Sequence, residues 1–448
     1  MNPIRDAWQS IVRRDPLSTD KGKSELVFLN VWLHIHPAKV KKENLKVKHT
    51  FYLGFITFYL FLILVTTGVA LMFYYRPHPP QAYQDMKDLQ FVVYFGSFLR
   101  NMHRWAAHGM VICVFLHMCR VFYTGSYKRP RQFNWVVGVV LFLLTLGLSF
   151  TGYLLPWDQL AFWAITVGTN IGSYAPLVGA RLRELLLGGH SVSDSALLRF
   201  YVLHVAVLPA VMTLLTMVHF WRVRKDGGLS RPVWKLKNPT RQAGTAMDSP
   251  AARRLSSQQT TSSQLVHIGA PAPPVPLTAT PASKDKTYGL MEVVTGKPIF
   301  ETVGMEEEED TVFSYPYAFF REGIALMVTV ITVMAVSLFW QAPLEELANP
   351  VKTPNPAKAP WYFLGLQELV SHSALLGGVI APTLAVLALI AIPYLDPNPS
   401  RRPADRRWAI WAFTVFVVVN VVLIIVGTFF RGPGWALVPP WVHIVGAE

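Results

Sequence analysis

Cysteine is scarce in this chain. Its 448 residues hold only Cys113 and Cys119, with no Cys-X-X-Cys-His run and too few thiols for a disulfide framework. The two thiols therefore read as apolar packing residues. Charge is scarce too: 15% of residues are Asp, Glu, Lys or Arg against 52% hydrophobic, with a mean hydropathy of +0.32. That balance excludes an ordinary water-soluble protein of two or three domains. No fixed-period repeat of the solenoid kind is present. The N-terminal MNPIRDAWQSIVRRD lacks an apolar core of signal-peptide type, so the first membrane span is expected to direct insertion.

What the chain does have is long apolar runs. Seven stretches, near 51–75, 101–123, 134–155, 197–221, 318–340, 373–394 and 408–430, are long enough to cross a bilayer as helix, which takes about 20 residues. The net charge of +14 could suggest a nucleic-acid partner. Its distribution argues otherwise, because 29 Lys and Arg fall on one side of the spans and 8 on the other. This is the positive-inside asymmetry, which puts the N-terminus in the cytoplasm and the C-terminus in the periplasm of a bacterial-type inner membrane. Residues 1–50 are basic with short apolar groups such as LVFLNVWLHIHP, and are expected to include an amphipathic helix along the lipid surface. Residues 226–316 are rich in Pro, Ser, Thr and Ala and carry the acidic run EEEED, the composition of a flexible cytoplasmic linker. The expected organisation is thus a four-helix module over 51–225 and a three-helix module over 317–448, joined by that tether.

Ionisable side chains are costly inside a membrane and mark function by default. The second span carries His103, His108 and His117 in HRWAAHGMVICVFLH, and the fourth carries His204 and His219. At about 100° per residue, an interval of 14 returns to within about 40° of the same helix face, about 21 Å along the axis. His103 and His117 therefore share a face, whereas His108 points elsewhere, toward another helix. His204 and His219 are 15 apart, with Pro209 between them; a proline disrupts the helix locally and can offset the extra residue's rotation. Both spans run in the same direction, so His103 pairs in depth with His204, and His117 with His219. Two such pairs in a four-helix bundle are what two bis-histidine haems require. Glycine repeats the interval independently: Gly54 and Gly68 on the first span, and Gly138 and Gly152 on the third, are each 14 apart. Glycines there let helices approach a flat macrocycle. The expected fold class is an all-α integral membrane protein of seven transmembrane helices, a four-helix dihaem bundle plus a three-helix C-terminal module.

With HRW, LHMCR, TGYLLPWDQ, RFYVLH, MVHFW and the paired glycines, the sequence closely resembles the cytochrome b subunit of quinol:cytochrome c oxidoreductases. The likeness extends over nearly all the membrane part. The interval of 15 and the seven spans look more like the chloroplast-type complex, whose halves are separate chains; here they are fused, the second half resembling subunit IV. The resemblance implies the catalytic membrane subunit of a redox complex. Such a core oxidises quinol outside, passes one electron to a Rieske iron–sulfur protein and sends the other across the membrane through two non-covalent b-type haems to an inner quinone. A c-type cytochrome subunit, membrane lipid and a second copy of the chain are the further partners implied, with no nucleic acid.

The resemblance also assigns residues. Arg100, Arg104 and Arg120 match arginines that pair with haem propionates, a task suited to guanidinium. The outer quinol site lies between TGYLLPWDQ, with Tyr153 and Asp158, and the family's Pro-Glu-Trp-Tyr motif. Here KAPWYFLGLQEL supplies Pro360, Trp361 and Tyr362, with Pro360 at the glutamate position. Oxidation must still shed protons to a titratable group, for which Glu368, Asp158 and the Rieske partner are the candidates. Chloroplast-type relatives attach an extra haem through a cysteine where this chain has Tyr52, so no covalent haem is expected. The inner site's acidic residue corresponds to YPYAFFREG, giving Arg321 and Glu322 as a proton relay. Two rivals remain at this level: a dihaem quinone-reactive anchor of another oxidoreductase, which leaves APWY and the last three spans unused, and a cofactor-free proton-coupled transporter, which needs neither matched pairs nor matched glycines.

Overall fold

A computed structural model describes residues 36–226 and 311–441, together with Lys23, Ser24 and Val27. The interfacial helix expected within 1–50 and the linker expected over 226–316 lie largely outside these residues. All seven apolar runs are helices long enough to span a membrane: α1 (Leu53–Met72), α3 (Gly96–Tyr123), α4 (Gln132–Tyr153), α7 (Asp194–Lys225), α8 (Ser314–Phe339), α10 (Leu376–Leu395) and α11 (Arg407–Phe429). Between them lie α2 (Gln81–Phe91), α5 (Gln159–Ser173), α6 (Gly179–Leu187) and α9 (Trp361–His372). Several spans outrun their apolar segments. α7, for instance, continues through Arg222 and Arg224 to Lys225, because basic residues favour the C-terminal turn of a helix and reach polar surroundings there.

Local chemistry explains the boundaries. α3 stops where Gly125 takes φ +65° and Ser126 N–H donates to the Val121 carbonyl at 2.9 Å, a glycine-terminated helix end. α5 starts at Asp158, whose Oδ1 accepts the Ala161 N–H at 2.9 Å. Within α7, residues Leu203–Val207 form a π turn in which Leu208 N–H reaches back to Leu203. Pro209 has no N–H to offer the carbonyl four residues back, and the wider turn absorbs one residue. The histidine interval of 15 on α7 thereby acts as the interval of 14 on α3. α10 repeats the device, with a π turn at Leu376–Ile380 ahead of Pro382.

Among the described residues, three apolar clusters hold the spans together. Leu60, Ala106, Met110, Met212 and Val333 join α1, α3, α7 and α8. Leu154, Ile165, Leu187, Leu197 and Phe200 bind α5 and α6 to the ends of α4 and α7. Phe122, Tyr127, Trp135, Leu389 and Phe413 join α3 and α4 to α10 and α11. Polar seams reinforce the contact between the two halves. Asn101 donates to the Ser337 carbonyl at 3.0 Å and accepts from Ala342 N–H at 2.7 Å. Lys128 pairs with Asp396 at 2.6 Å, and Trp135 donates to the Leu389 carbonyl at 2.6 Å. Strand β1 (Lys39–Lys41) pairs antiparallel with β2 (Thr311–Phe313), tying the segment before α1 to the start of α8. Large apolar side chains such as Ile324, Met327, Trp411 and Val418 are left exposed, as helices facing lipid require.

Candidate functional site

α3 and α7 present their histidines in two facing pairs. The His103 and His204 ring centres lie 6.1 Å apart, and those of His117 and His219 lie 6.5 Å apart, each pair with a 76° angle between rings. An imidazole centre lies about 1.1 Å behind its nitrogen, and imidazole–metal bonds run about 2.0 Å, so two imidazoles on opposite sides of one ion stand about 6.2 Å apart. Both pairs meet that spacing. His108 belongs to neither pair, and its Nδ1 accepts the Trp361 indole N–H at 2.9 Å.

Each of the four glycines faces one of the four histidines. A Cβ at Gly152 would stand 2.5 Å from Cε1 of His204, at Gly54 3.1 Å from His117, at Gly68 3.2 Å from His103, and at Gly138 3.8 Å from His219. The space left by three of the missing side chains is thus taken up by an imidazole edge. The threonines preceding two of these glycines complete the outer pair: Thr67 Oγ1 lies 2.9 Å from His103 Nδ1, and Thr151 Oγ1 lies 3.1 Å from His204 Nδ1. With Nδ1 occupied, Nε2 is the nitrogen left for a ligand. Leu53 and Val137 stand in the corresponding places for the inner pair. Sequence reasoning used the glycines and passed over the threonines, although Thr-Gly occurs at both outer positions.

Two cavities hold these pairs. The outer one, about 250 Å³, is lined by His103, His204, Gly68, Gly152, Arg100, Arg104, His108, Tyr153 and Tyr362. The inner one, about 220 Å³, is lined by His117, His219, Gly54, Gly138, Arg120, Tyr52, His36 and Glu322. Phe61, Met110 and Thr145 line both, so the two share a wall. In the outer cavity Arg104 keeps its Nε buried without a hydrogen-bond partner, a donor suited to an anionic group such as a haem propionate. Paired imidazoles, glycine cradles and an orphaned guanidinium donor together fit a haem. The other two arginines are more committed. Arg100 donates to the carbonyls of Ala342 at 2.7 Å and Pro343 at 2.6 Å, and Arg120 Nε donates to the His49 carbonyl at 3.1 Å.

The expected quinol-site residues divide. Tyr153 and Tyr362 reach the outer cavity, and burial pushes the Tyr362 phenol up to about 12, so it stays a hydroxyl. Trp361 meets the cavity through His108, and Pro360 opens α9. Asp158 and Glu368 lie off the cavity lining. Asp158 is buried, its Oδ2 accepts the Glu345 N–H at 3.2 Å, and desolvation raises its pKa above the usual carboxyl value. Glu368 is bound through both oxygens by Arg431 and also accepts from Trp435 Nε1 at 3.2 Å. The Arg431 hydrogen bonds hold its carboxyl below the usual range. On the inner side Glu322 faces His36, Nε2 to Oε2 2.8 Å, while Arg321 donates to the Leu45 carbonyl at 2.6 Å, an acceptor shared with Tyr52.

Known proteins resemble this chain in both of its halves. Residues 39–227 match the family model described as cytochrome b/b6/petB, and residues 347–445 that described as cytochrome b (C-terminal)/b6/petD. The chain is 43% identical over 196 residues to the cytochrome b6 of Heliomicrobium gestii, which covers 43% of this chain and 92% of that protein. It is 46% identical over 175 residues to the cytochrome b6 of Heliobacterium modesticaldum, covering 39% of this chain and 82% of that one. A chain of a hyperthermophilic respiratory Complex III shares the fold, with a TM-score of 0.62 at 24% identity, over 85% of this chain and 84% of that one.

Proposed function

Because the chain belongs to the cytochrome b/b6 family, which implies b-type haems, and has seven helices able to span a membrane, we propose that it is the dihaem core of a quinol:cytochrome c type oxidoreductase. His103 and His204 hold the outer haem, and His117 and His219 the inner one. The observation that carries this reading is the pair of imidazole separations, 6.1 and 6.5 Å, at two sites backed by four glycines. Bound there, b-type haems supply one-electron carriers toward either side of the membrane.

The chain's own groups prepare those sites. Thr67 and Thr151 fix the outer imidazoles with Nε2 inward. Arg104, with Arg100 beside it, offsets propionate charge at the outer site, and Arg120 does so at the inner one. Quinol binds at the outer cavity between Tyr153 and Tyr362, with Pro360 and Trp361 shaping the approach. Asp158 accepts an outer proton, because burial brings its carboxyl nearer the working pH than an ordinary aspartate. Glu368 is a weaker base, since Arg431 holds it ionised. At the inner cavity Glu322 serves quinone reduction, with Arg321 positioning the neighbouring backbone. A Rieske protein, a c-type cytochrome and a second copy complete the complex, in a bacterial-type inner membrane with the N-terminus cytoplasmic.

The test is a reduced-minus-oxidised optical spectrum of the purified protein with a pyridine haemochrome count. Two b-type haems per chain, with one lost or altered when His103 or His219 is replaced, is the expected result. Absence of haem would return the proton-coupled transporter to first place. Two haems in a complex lacking a Rieske protein would favour the simple quinone-reactive anchor.

A further inference from the structure

Two histidines, His34 and His36, lie ahead of the segment matched by the family model, which begins at residue 39, and His36 is among the described residues. His36 lines the inner cavity. Its Nε2 meets Glu322 Oε2 at 2.8 Å, its ring stacks on Phe55 at 5.9 Å with 6° between planes, and its Nδ1 is buried with no hydrogen-bond partner. A buried polar atom without a partner calls for a ligand or a transient one. The partner of Nε2 is a carboxylate contributed by α8, 286 residues along the chain. Such a carboxylate orients an imidazole, leaving the other nitrogen to exchange a proton.

We propose that His36 is the group that hands protons to a quinone bound in the inner cavity, with Glu322 as its orienting and charge-balancing partner. The proposal rests on the dihaem reading above and adds the proton donor to it. In each transfer the N–H bond at Nδ1 breaks and an O–H bond forms on a quinone oxygen, while the imidazolium becomes neutral imidazole and keeps its Nε2–H on Glu322. Reprotonation from the cytoplasmic side restores it. Two such transfers, with the two electrons that a b-type haem held by His117 and His219 would supply singly, convert quinone to quinol. The other charged or titratable groups around the dyad hold different posts. Arg321 on α8 and Tyr52 ahead of α1 both donate to the Leu45 carbonyl. Tyr59 on α1 stands within electrostatic reach of Glu322, and Arg120 on α3 lines the same cavity. Only His36 combines a free nitrogen with a carboxylate partner among these described groups.

The experiment uses the full chain in its membrane complex. The inner haem is pre-reduced, a short-chain quinone such as menadione or decylubiquinone is added, and haem reoxidation is followed for the parental protein, His36→Gln and His36→Ala. Haem content, the midpoint potential of the inner haem and quinone affinity are measured alongside. His36→Gln is expected to keep both haems, the potential and the affinity, and to slow reoxidation about 100-fold, the lower end of what a positioned acid contributes. Added imidazole is expected to restore the rate of His36→Ala and leave His36→Gln slow. A His36→Gln rate within twofold of parental overturns the proposal. So does a shifted inner-haem potential with an unchanged rate, which would assign the dyad to the haem's charge balance. A parental protein that holds both haems but whose inner haem ignores both quinones fails the inner quinone site of the proposed function instead, so the two failures are separable.

Discussion

Alanine at Gly152 is a severe test of the haem geometry, because α4 itself has no objection to it. Alanine is the better helix former by about 1 kcal/mol, and Gly152 lies within the helix α4. The objection comes from α7. The added Cβ would stand 2.5 Å from Cε1 of His204, 3.1 Å from Nε2 and 3.2 Å from Nδ1. Carbon atoms in contact prefer about 3.5–4.0 Å, so the imidazole must retreat by about 1 Å. A metal–ligand bond tolerates about 0.2 Å, so a haem held by His204, as proposed above, would lose that ligand or take it in a strained position. The retreat also strains the bond between His204 Nδ1 and Thr151 Oγ1, now 3.1 Å, and overpacking of this kind costs about 1–3 kcal/mol. Gly138→Ala is the matched control, its Cβ meeting His219 at an ordinary 3.8 Å. Potentiometric optical titration, with electron paramagnetic resonance of the oxidised protein, reads the two haems separately. Gly152→Ala should shift or abolish the outer signal and spare the inner one, while Gly138→Ala should leave both near parental. Equal damage from the two, or none from Gly152→Ala, would refute the packing argument.

Three further outcomes follow from the same geometry. Thr67→Val removes the hydroxyl beside His103 Nδ1 and should weaken outer-haem retention about tenfold or move its midpoint by about 60 mV, measured by redox titration, with the inner haem unchanged. Arg431→Gln leaves Glu368 buried without its cation and should lower stability by about 3 kcal/mol, measured by thermal unfolding in detergent; the pair replaced together should cost less. Because Arg431 depresses the Glu368 pKa from its ordinary 4.5, the pair's contribution is fully present above about pH 4.5 and is lost as the pH falls through the lower folded value. That loss should be absent from a Glu368→Gln melting series over the same range. Trp361→Phe deletes the N–H that His108 Nδ1 accepts; it should raise the quinol KM several-fold with a smaller change in kcat, and an unchanged KM would place His108 outside the quinol contacts.

The local features of this protein were already legible in its residues. Seven apolar runs specify helices because a bilayer demands internal hydrogen bonding, and intervals of 14 place His103 above His117 and Gly54 below Gly68 because a helix has a fixed pitch. Pro209 announced an irregularity between His204 and His219, and a π turn met the need for one absorbed residue. What depended on bringing distant segments together was hidden. Arg100 lines the outer cavity beside Arg104, and its further partners, the carbonyls of Ala342 and Pro343 more than 240 residues away, follow from no local pattern. Glu368 looks like a free base until the chain beyond α11 returns Arg431 to it, 63 residues on. His36 carries no interval or motif, and its meaning depends on Glu322 arriving through the β1–β2 pairing and the packing of α8. Periodicity is a property of one helix, so sequence alone determines which faces carry histidine and glycine. Partnership between charges depends on which segments fold onto one another, and only the tertiary structure decides that.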